Sequence, residues 1–434
     1  MAPTRLRCGV LTLDRRGRLI YWTDAVVTLD GGRVAECRPL RRGGKPPRGA
    51  LDRRGLLAIP GLVDAHCHLP QYPAAAAEGG ELLPWLKRHI FPLERRFRGE
   101  YARTLSRLFF TELAAHGTTA AAVYLSVYAD SAEAAFEEGE RSGLRLVMGK
   151  VMMDRRTYDT DFGRTHPRES RPHASLRESA ELCARWHGAA EGRLRYAFTP
   201  RFALSCSEGL MGAAAAEAAR RGAFVQTHLS ESGAEVAAVK AAFPGSRSYA
   251  EVYDRAGLLG ERTLLAHGVW LSDSERRLIV KRGAALVHCP TSNAFLASGI
   301  MDLPAAHAAG ARLALGSDVA AGPSLDLFEV MRQAVFAQRL AGAHGLFKRP
   351  STAGPRTVFG LATLEGARAL GLPAGAGTLT VGAPADLVLL DPAAYDPFRP
   401  APDAEAALAR LVYRGSRAAL RATFVAGRRV WGKL

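Results

Sequence analysis

Eight short apolar runs alternate with helix-type stretches along the middle of the chain, and this alternation restricts the fold more than any other feature. The runs are Leu62–Ala65, Thr119–Tyr124, Leu144–Met148, Leu194–Phe198, Phe224–Thr227, Thr263–Ala266, Ala284–Val287 and Arg312–Leu315. Between them lie stretches with helical periodicity, among them Tyr101–Ala115, Ser131–Ser142, Leu176–Trp186, Glu208–Arg221 and Ser274–Arg282. Glycines 117, 143, 222 and 283 follow several of these stretches, as helix stops do. Strands separated by helical crossovers predict a parallel sheet, and eight of them over about 310 residues fit a (β/α)8, TIM-like barrel with insertions. A doubly wound open sheet is the alternative.

The two ends of the chain read differently. Leu6–Leu13, Leu19–Thr23 and Ala25–Leu29 are strand-type segments cut by turn signals at Arg16-Gly17 and Asp30-Gly31-Gly32. A polar loop, Arg41 to Gly49, follows. Near the other end, Gly377–Val381, Ala385–Leu390 and Arg421–Val425 read as strands, with Ala426-Gly427 as a hairpin turn before Arg429–Trp431. Neither set makes a core alone, so the expectation is one small β-sandwich formed by both chain termini. The predicted units are residues 1–59 with 376–434 as the sandwich, and 60–375 as the barrel.

Of 434 residues, 48% are hydrophobic and 23% charged, which suits a globular protein. No apolar run approaches the roughly 18 residues that cross a bilayer, and Met1 to Leu19 has no continuous apolar stretch, so neither a membrane span nor a secretory signal is expected. The cysteines Cys8, Cys37, Cys67, Cys183, Cys206 and Cys289 form no C-x-x-C pair, which fits a reducing, cytoplasmic setting. The net charge of +16 comes from 51 Arg and 7 Lys against 42 acidic residues. The arginines are scattered and not gathered into a stripe, so composition drift explains them better than a dedicated nucleic-acid partner does.

The chemistry-bearing residues sit where the predicted strands end. Pro60-Gly61-Leu62-Val63-Asp64-Ala65-His66-Cys67-His68 places two histidines two apart in an extended segment, so both point the same way while Cys67 turns to the opposite face. His228 ends the run Phe224–Thr227, His267 ends Thr263–Ala266, and Asp318 follows Arg312–Leu315. In a barrel the C-terminal strand ends meet on one rim, so these five residues should converge. Imidazoles and a carboxylate suit a borderline cation such as zinc, and the same ligand types serve iron. A cation of this kind lowers the pKa of bound water from 15.7 to roughly 7. Glu231, three residues beyond His228, is then placed as a proton shuttle. Asp318 is placed to bind the metal and accept the water proton, and His267 to polarise the substrate or hold the nucleophile. The zinc deaminases built on H-x-E and P-C-x-x-C are excluded, since neither motif occurs.

Nearly the whole chain resembles the amidohydrolase superfamily and, within it, the guanine deaminase family. The motifs are Pro60-Gly61 through His68-Leu69-Pro70-Gln71-Tyr72-Pro73, Leu83-Pro84-Trp85-Leu86, Phe91-Pro92, Gly149-Lys150-Val151-Met152-Met153-Asp154, Thr199-Pro200-Arg201-Phe202, Ser205-Cys206-Ser207-Glu208, His228-Leu229-Ser230-Glu231, His288-Cys289-Pro290 with Ser292-Asn293, and Ser317-Asp318-Val319-Ala320. The resemblance implies hydrolytic deamination of guanine to xanthine and ammonia. It implies one Zn2+ per subunit on His66, His68, His228 and Asp318, with Glu231 as proton shuttle, and a homodimer. It also implies purine contacts from Gln71, Arg201 and Phe202. Taken singly, these three have plainer readings as a loop residue, a surface ion-pair partner and a core ring. Trp85 reads as a pocket lid or as core. Lys150 reads as a packing or ion-pair residue, and His288 and Cys289 as structural. Ser317 stands where the family commonly has Thr, and Ala321 where it commonly has Gly.

Overall fold

The computed structural model describes residues 3–41, 44–78, 80–350, 353–397 and 401–433. Arg42 and Gly43 of the expected polar loop lie outside them. Eight strands, Leu62–His68, Thr118–Tyr124, Arg145–Gly149, Leu194–Pro200, Phe224–Leu229, Thr263–His267, Ala285–His288 and Arg312–Leu315, pair in parallel and in chain order. The first and eighth approach closely enough to close the ring. The Asp318 N–H donates to the His66 carbonyl (2.9 Å), and the His68 N–H donates to that of Val319 (3.3 Å). Gly316 permits this approach, because a Cβ there would lie 2.7 Å from the Cβ of His66. The result is a (β/α)8 barrel.

Strand alternation sorts the side chains. One face of each strand contributes small residues, such as Ala65, Ala120, Ala122, Ala197, Ala285 and Ala314, to a single cluster that fills the barrel interior. The other face, including Ala121, Val123, Leu146, Met148, Phe198 and Leu286, packs outward against the helices. The helices Gly99–Ala115, Ala129–Ser142, Arg171–Trp186, Glu208–Arg221 and Asp273–Arg282 cover it, within a few residues of the predicted stretches. Gly143, Gly222 and Gly283 terminate three of them with left-handed backbone, where a glycine carries no Cβ penalty.

Both chain ends join one seven-stranded sheet. Thr4–Leu13, Leu19–Asp30, Arg33–Pro39 and Leu51–Pro60 come from one end, and Leu387–Leu390, Leu420–Val425 and Arg428–Gly432 from the other. The sheet folds over on itself. Its edge residue Arg33 bridges Pro384, and the Val34 N–H donates to the Ala383 carbonyl (2.9 Å). Leu6, Cys8, Val10, Leu387, Leu389 and Phe424 fill its own core, while Leu11, Leu13, Val388 and Leu390 face the barrel. Two strands here, Arg33–Pro39 and Leu51–Pro60, escaped the sequence reading. A predicted strand, Gly377–Val381, is instead a turn. Gly377 has φ 75, the Leu379 N–H donates to the Thr12 hydroxyl, and the Thr378 hydroxyl donates to the Gly375 carbonyl. Side chains satisfy this segment's backbone where a strand ladder would otherwise do so. Among the described residues, no helix is long and apolar enough to cross a membrane.

Candidate active site

The C-terminal strand ends bring His66, His68, His228, His267, Glu231 and Asp318 together. His66 and His68 share one side of the first strand, while Cys67 packs away from them in the outer core. Their Nε2 atoms lie 3.2 Å apart, and His68 Nε2 is 3.1 Å from His228 Nε2. Asp318 Oδ1 lies 3.2 Å from His66 Nε2 and 3.4 Å from His68 Nε2. Ser230, His267 and Asp318 all have left-handed backbone (φ 51, 73 and 47), a conformation that L-residues adopt at a cost and that clusters at functional sites.

These four groups fit a cation. Ligands about 2.0–2.1 Å from one tetrahedral ion lie about 3.3 Å from each other, close to the observed spacing. Burial, reinforced by the neighbouring imidazoles, holds His68 and His228 well below the usual histidine range, so their nitrogens carry lone pairs. The His228 Nδ1–H donates to the Arg201 carbonyl (2.7 Å), which leaves Nε2 as the ligating atom. Burial works to raise the Asp318 carboxyl, but the surrounding imidazoles outweigh it and keep the group ionised.

Behind the cluster, Asp64 joins the first and eighth strands. It accepts from the N–H groups of His66 (3.2 Å) and Ser317 (2.9 Å) and from the Ser317 hydroxyl (2.6 Å), and burial pushes its carboxyl up to about 7. The serine at position 317 therefore makes a hydroxyl contact that fixes the strand carrying Asp318.

Glu231 lies opposite. Burial pushes its carboxyl up to about 8, against the pull of His267. Its backbone N–H donates to Glu235 (2.8 Å), which also accepts from the Tyr249 hydroxyl (2.8 Å). Glu235 closes a capping box with Ser232 at the start of the helix Gly233–Ala242. His267 Nδ1 pairs with Asn293 Oδ1 at 3.0 Å. Its Nε2 lies 3.4 Å from Glu231 and 3.7 Å from Asp318 but makes a hydrogen bond with neither.

A narrow cavity opens on this cluster. It is lined by His68, His228, Glu231 and Asp318 on one side and by Gln71, Trp85, Arg201 and Phe202 on the other. Gln71 lies on the single turn Leu69–Ala74 after the first strand, and Arg201 directly follows the fourth. Trp85 is buried against Leu82, Leu86, Ile90 and Leu296, with its Nε1–H on the Ala77 carbonyl (2.9 Å), so it both covers the cavity and packs. The residue that sequence reasoning missed is Glu94. It is fully buried, accepts from Gln71 Nε2 (2.7 Å) with one oxygen and pairs with the Arg201 guanidinium through the other. Its only sequence signal was an acid beside Phe91-Pro92, in a run of charges that reads as solvated surface. Asn293 and Glu235 carried partial signals, the first within a quoted motif and the second as the fourth residue of an S-x-x-E capping pattern.

Lys150 and His288 lie apart from this constellation. Lys150 is buried against Glu178 (3.2 Å), the Val127 carbonyl and the Ser175 hydroxyl. His288 is buried, and burial lowers it to about 3.

A barrel with histidines and an aspartate on its C-terminal rim and a sheet built from both termini defines a class of hydrolase. The profile of the amidohydrolase family matches residues 57–430, and the chain belongs to that family. It is 39% identical over 345 residues to a probable guanine deaminase of Deinococcus radiodurans, an alignment spanning 79% of this chain and 75% of that protein. The solved guanine deaminase from C. acetobutylicum, with guanine bound in its active site, superposes with a TM-score of 0.90 at 28% identity, covering 99% of this chain and all of that one. An adenosine deaminase from Xanthomonas campestris with bound zinc superposes with a TM-score of 0.83 at 27% identity, covering 98% and 92%.

Proposed function

We propose that this chain is a guanine deaminase, which adds water at C2 of guanine and releases ammonia to leave xanthine. The observation that carries the reading is the meeting, in one cavity, of the His66, His68, His228 and Asp318 cluster with the polar wall of Gln71 and Arg201. In this reading His66, His68, His228 and Asp318 hold one zinc ion, which supplies a water acidic enough to react at neutral pH. Arg201 donates to the O6 and N7 acceptors of the ring, and Phe202 offers its face for stacking. The NH2 of Gln71 is committed to Glu94, so its amide oxygen is the acceptor it offers to a ring N–H. Trp85 and its apolar neighbours exclude bulk water. Glu231, with its carboxyl raised by burial, takes one proton from the attacking water and passes it to N3, then takes the second from the hydroxyl added at C2 and passes it to the amine, which leaves as ammonia while C2 becomes a carbonyl. His267 and Asp318 flank the position of that water and steady it. The six cysteines are all free, which accords with a cytoplasmic enzyme.

Zinc-loaded protein mixed with guanine should consume the guanine absorbance and release one ammonia per xanthine formed. Fully metallated protein that leaves guanine untouched would remove this reading. Adenine, which carries an amine where guanine carries O6, is the sharpest competitor. A site that pairs with O6 and a ring N–H leaves those partners unsatisfied against adenine and should reject it by about 10⁴-fold.

A further inference from the structure

We propose, resting on the guanine reading above, that Glu94 sets the charge of the base-reading wall, so that the cavity accepts neutral oxopurine rings and discriminates against their anions. Arg201 is the only arginine or lysine lining the cavity among the described residues, and it is 2% exposed. A buried guanidinium without a counter-charge favours an anionic ligand strongly, since little solvent screens it. Glu94 supplies the counter-charge from behind. It is fully buried, is not among the residues lining the cavity, and holds Arg201 through one carboxylate oxygen and Gln71 through the other. The Phe91 ring lies under the guanidinium at 5.2 Å, and the Tyr158 hydroxyl reaches Glu94 while accepting from the Val127 N–H. Burial disfavours the Arg201 charge, and Glu94, together with Tyr158 and Tyr124, more than offsets it.

The other titratable groups facing the cavity are the carboxyls of Glu231, Glu235 and Asp318 and the neutral imidazoles of His68 and His228, of which Asp318, His68 and His228 would be taken up by the cation of the functional reading. With Glu94 in place, the wall presents hydrogen-bond donors of fixed direction without a net positive charge. This matters because substrate and product differ in ionisation. Guanine stays neutral where its deamination product, xanthine, already loses a proton near neutrality. A neutralised wall therefore holds the substrate and lets the ionised product go. Glu94 touches neither ring and acts through Arg201 and Gln71, as a positioning residue that fixes specificity.

The test compares direct binding of xanthine, which ionises near neutrality, with that of hypoxanthine, which stays neutral over the same interval, to zinc-loaded protein by equilibrium dialysis. Unaltered protein should lose xanthine affinity across xanthine's first ionisation while hypoxanthine binding holds. Glu94→Gln keeps the shape and one acceptor but removes the charge. It should raise the preference for the xanthine anion over hypoxanthine by roughly tenfold while guanine KM rises. A purely structural role would weaken both ligands alike. Equal affinity of the unaltered protein for neutral and ionised xanthine would overturn the inference, even if Glu94→Gln failed to fold. So would an unchanged ratio in folded Glu94→Gln that still turns over guanine. Unaltered protein that binds neither purine and leaves guanine untouched would instead sink the functional reading beneath it.

Discussion

The two walls of the cavity are built on different principles. The metal-type wall rests on barrel strands. His66 and His68 share one strand face, His228 is the penultimate residue of a second strand and His267 the last of a third, and Asp318 follows the eighth, held by the Asp64–Ser317 bonds. The base-reading wall rests on connections. Gln71 lies on a short turn, Glu94 on the two-turn helix Phe91–Arg96, and Arg201 and Phe202 in the irregular segment after the fourth strand. The strand-borne wall gets its precision from the ladder of the barrel, whereas the connecting-segment wall gets it from a buried ion pair. Geometry common to a fold can hold the cation, while substrate choice is set in segments that vary without disturbing that geometry.

Substitutions should separate the two walls. The largest effect belongs to the first. His228→Ala should abolish both zinc retention and guanine turnover, read by metal analysis and ammonia release, while Glu231→Gln should keep the metal and lose about 10²–10⁴-fold in kcat. A Glu231→Gln enzyme of full rate would refute the shuttle role. Arg201→Met comes next. It should leave zinc content unchanged, lower kcat/KM for guanine by about 10²-fold and narrow the gap between guanine and adenine. Loss of metal in that variant would show that the walls are not independent. Gly316→Ala is smaller. The added Cβ meets His66 at 2.7 Å, so stability should fall by about 1–3 kcal/mol and zinc affinity should drop with it, measured by thermal melts with and without a chelator. The smallest is Ser232→Ala, which removes an N-cap and should cost about 1 kcal/mol in melting experiments with a modest loss in kcat, because the capped helix carries the Glu235 that holds the Glu231 backbone.

The same contrast governs what the sequence reveals. Period-two alternation puts His66 and His68 on one face without any knowledge of the fold, and strand-terminal positions predict that His228, His267 and Asp318 converge with them. The barrel strands and helices were legible because their apolar periodicity is strong. The terminal sheet was less so. Arg33–Pro39 is an edge strand with mostly exposed side chains, and the exposed residues at 51–55 hide the first half of Leu51–Pro60, so neither shows the alternation of a half-buried strand. Gly377–Val381 has the composition of a strand, but the N–H groups of Leu379 and Thr380 donate to the hydroxyls of Thr12 and Thr378, which no local pattern announces. Glu94 illustrates the limit most clearly. Its partners lie 23 and 107 residues away, so the pairing that makes it a buried counter-ion exists only in three dimensions.

The central claim is that one cation and one purine share this cavity. Crystals soaked with guanine, with anomalous data collected at the zinc edge, test it directly. The account predicts a single zinc about 2.0–2.2 Å from the Nε2 atoms of His66, His68 and His228 and from Asp318, with the ring between Arg201 and Glu231. A zinc bound by other residues, or a purine seated outside this cavity, would contradict it.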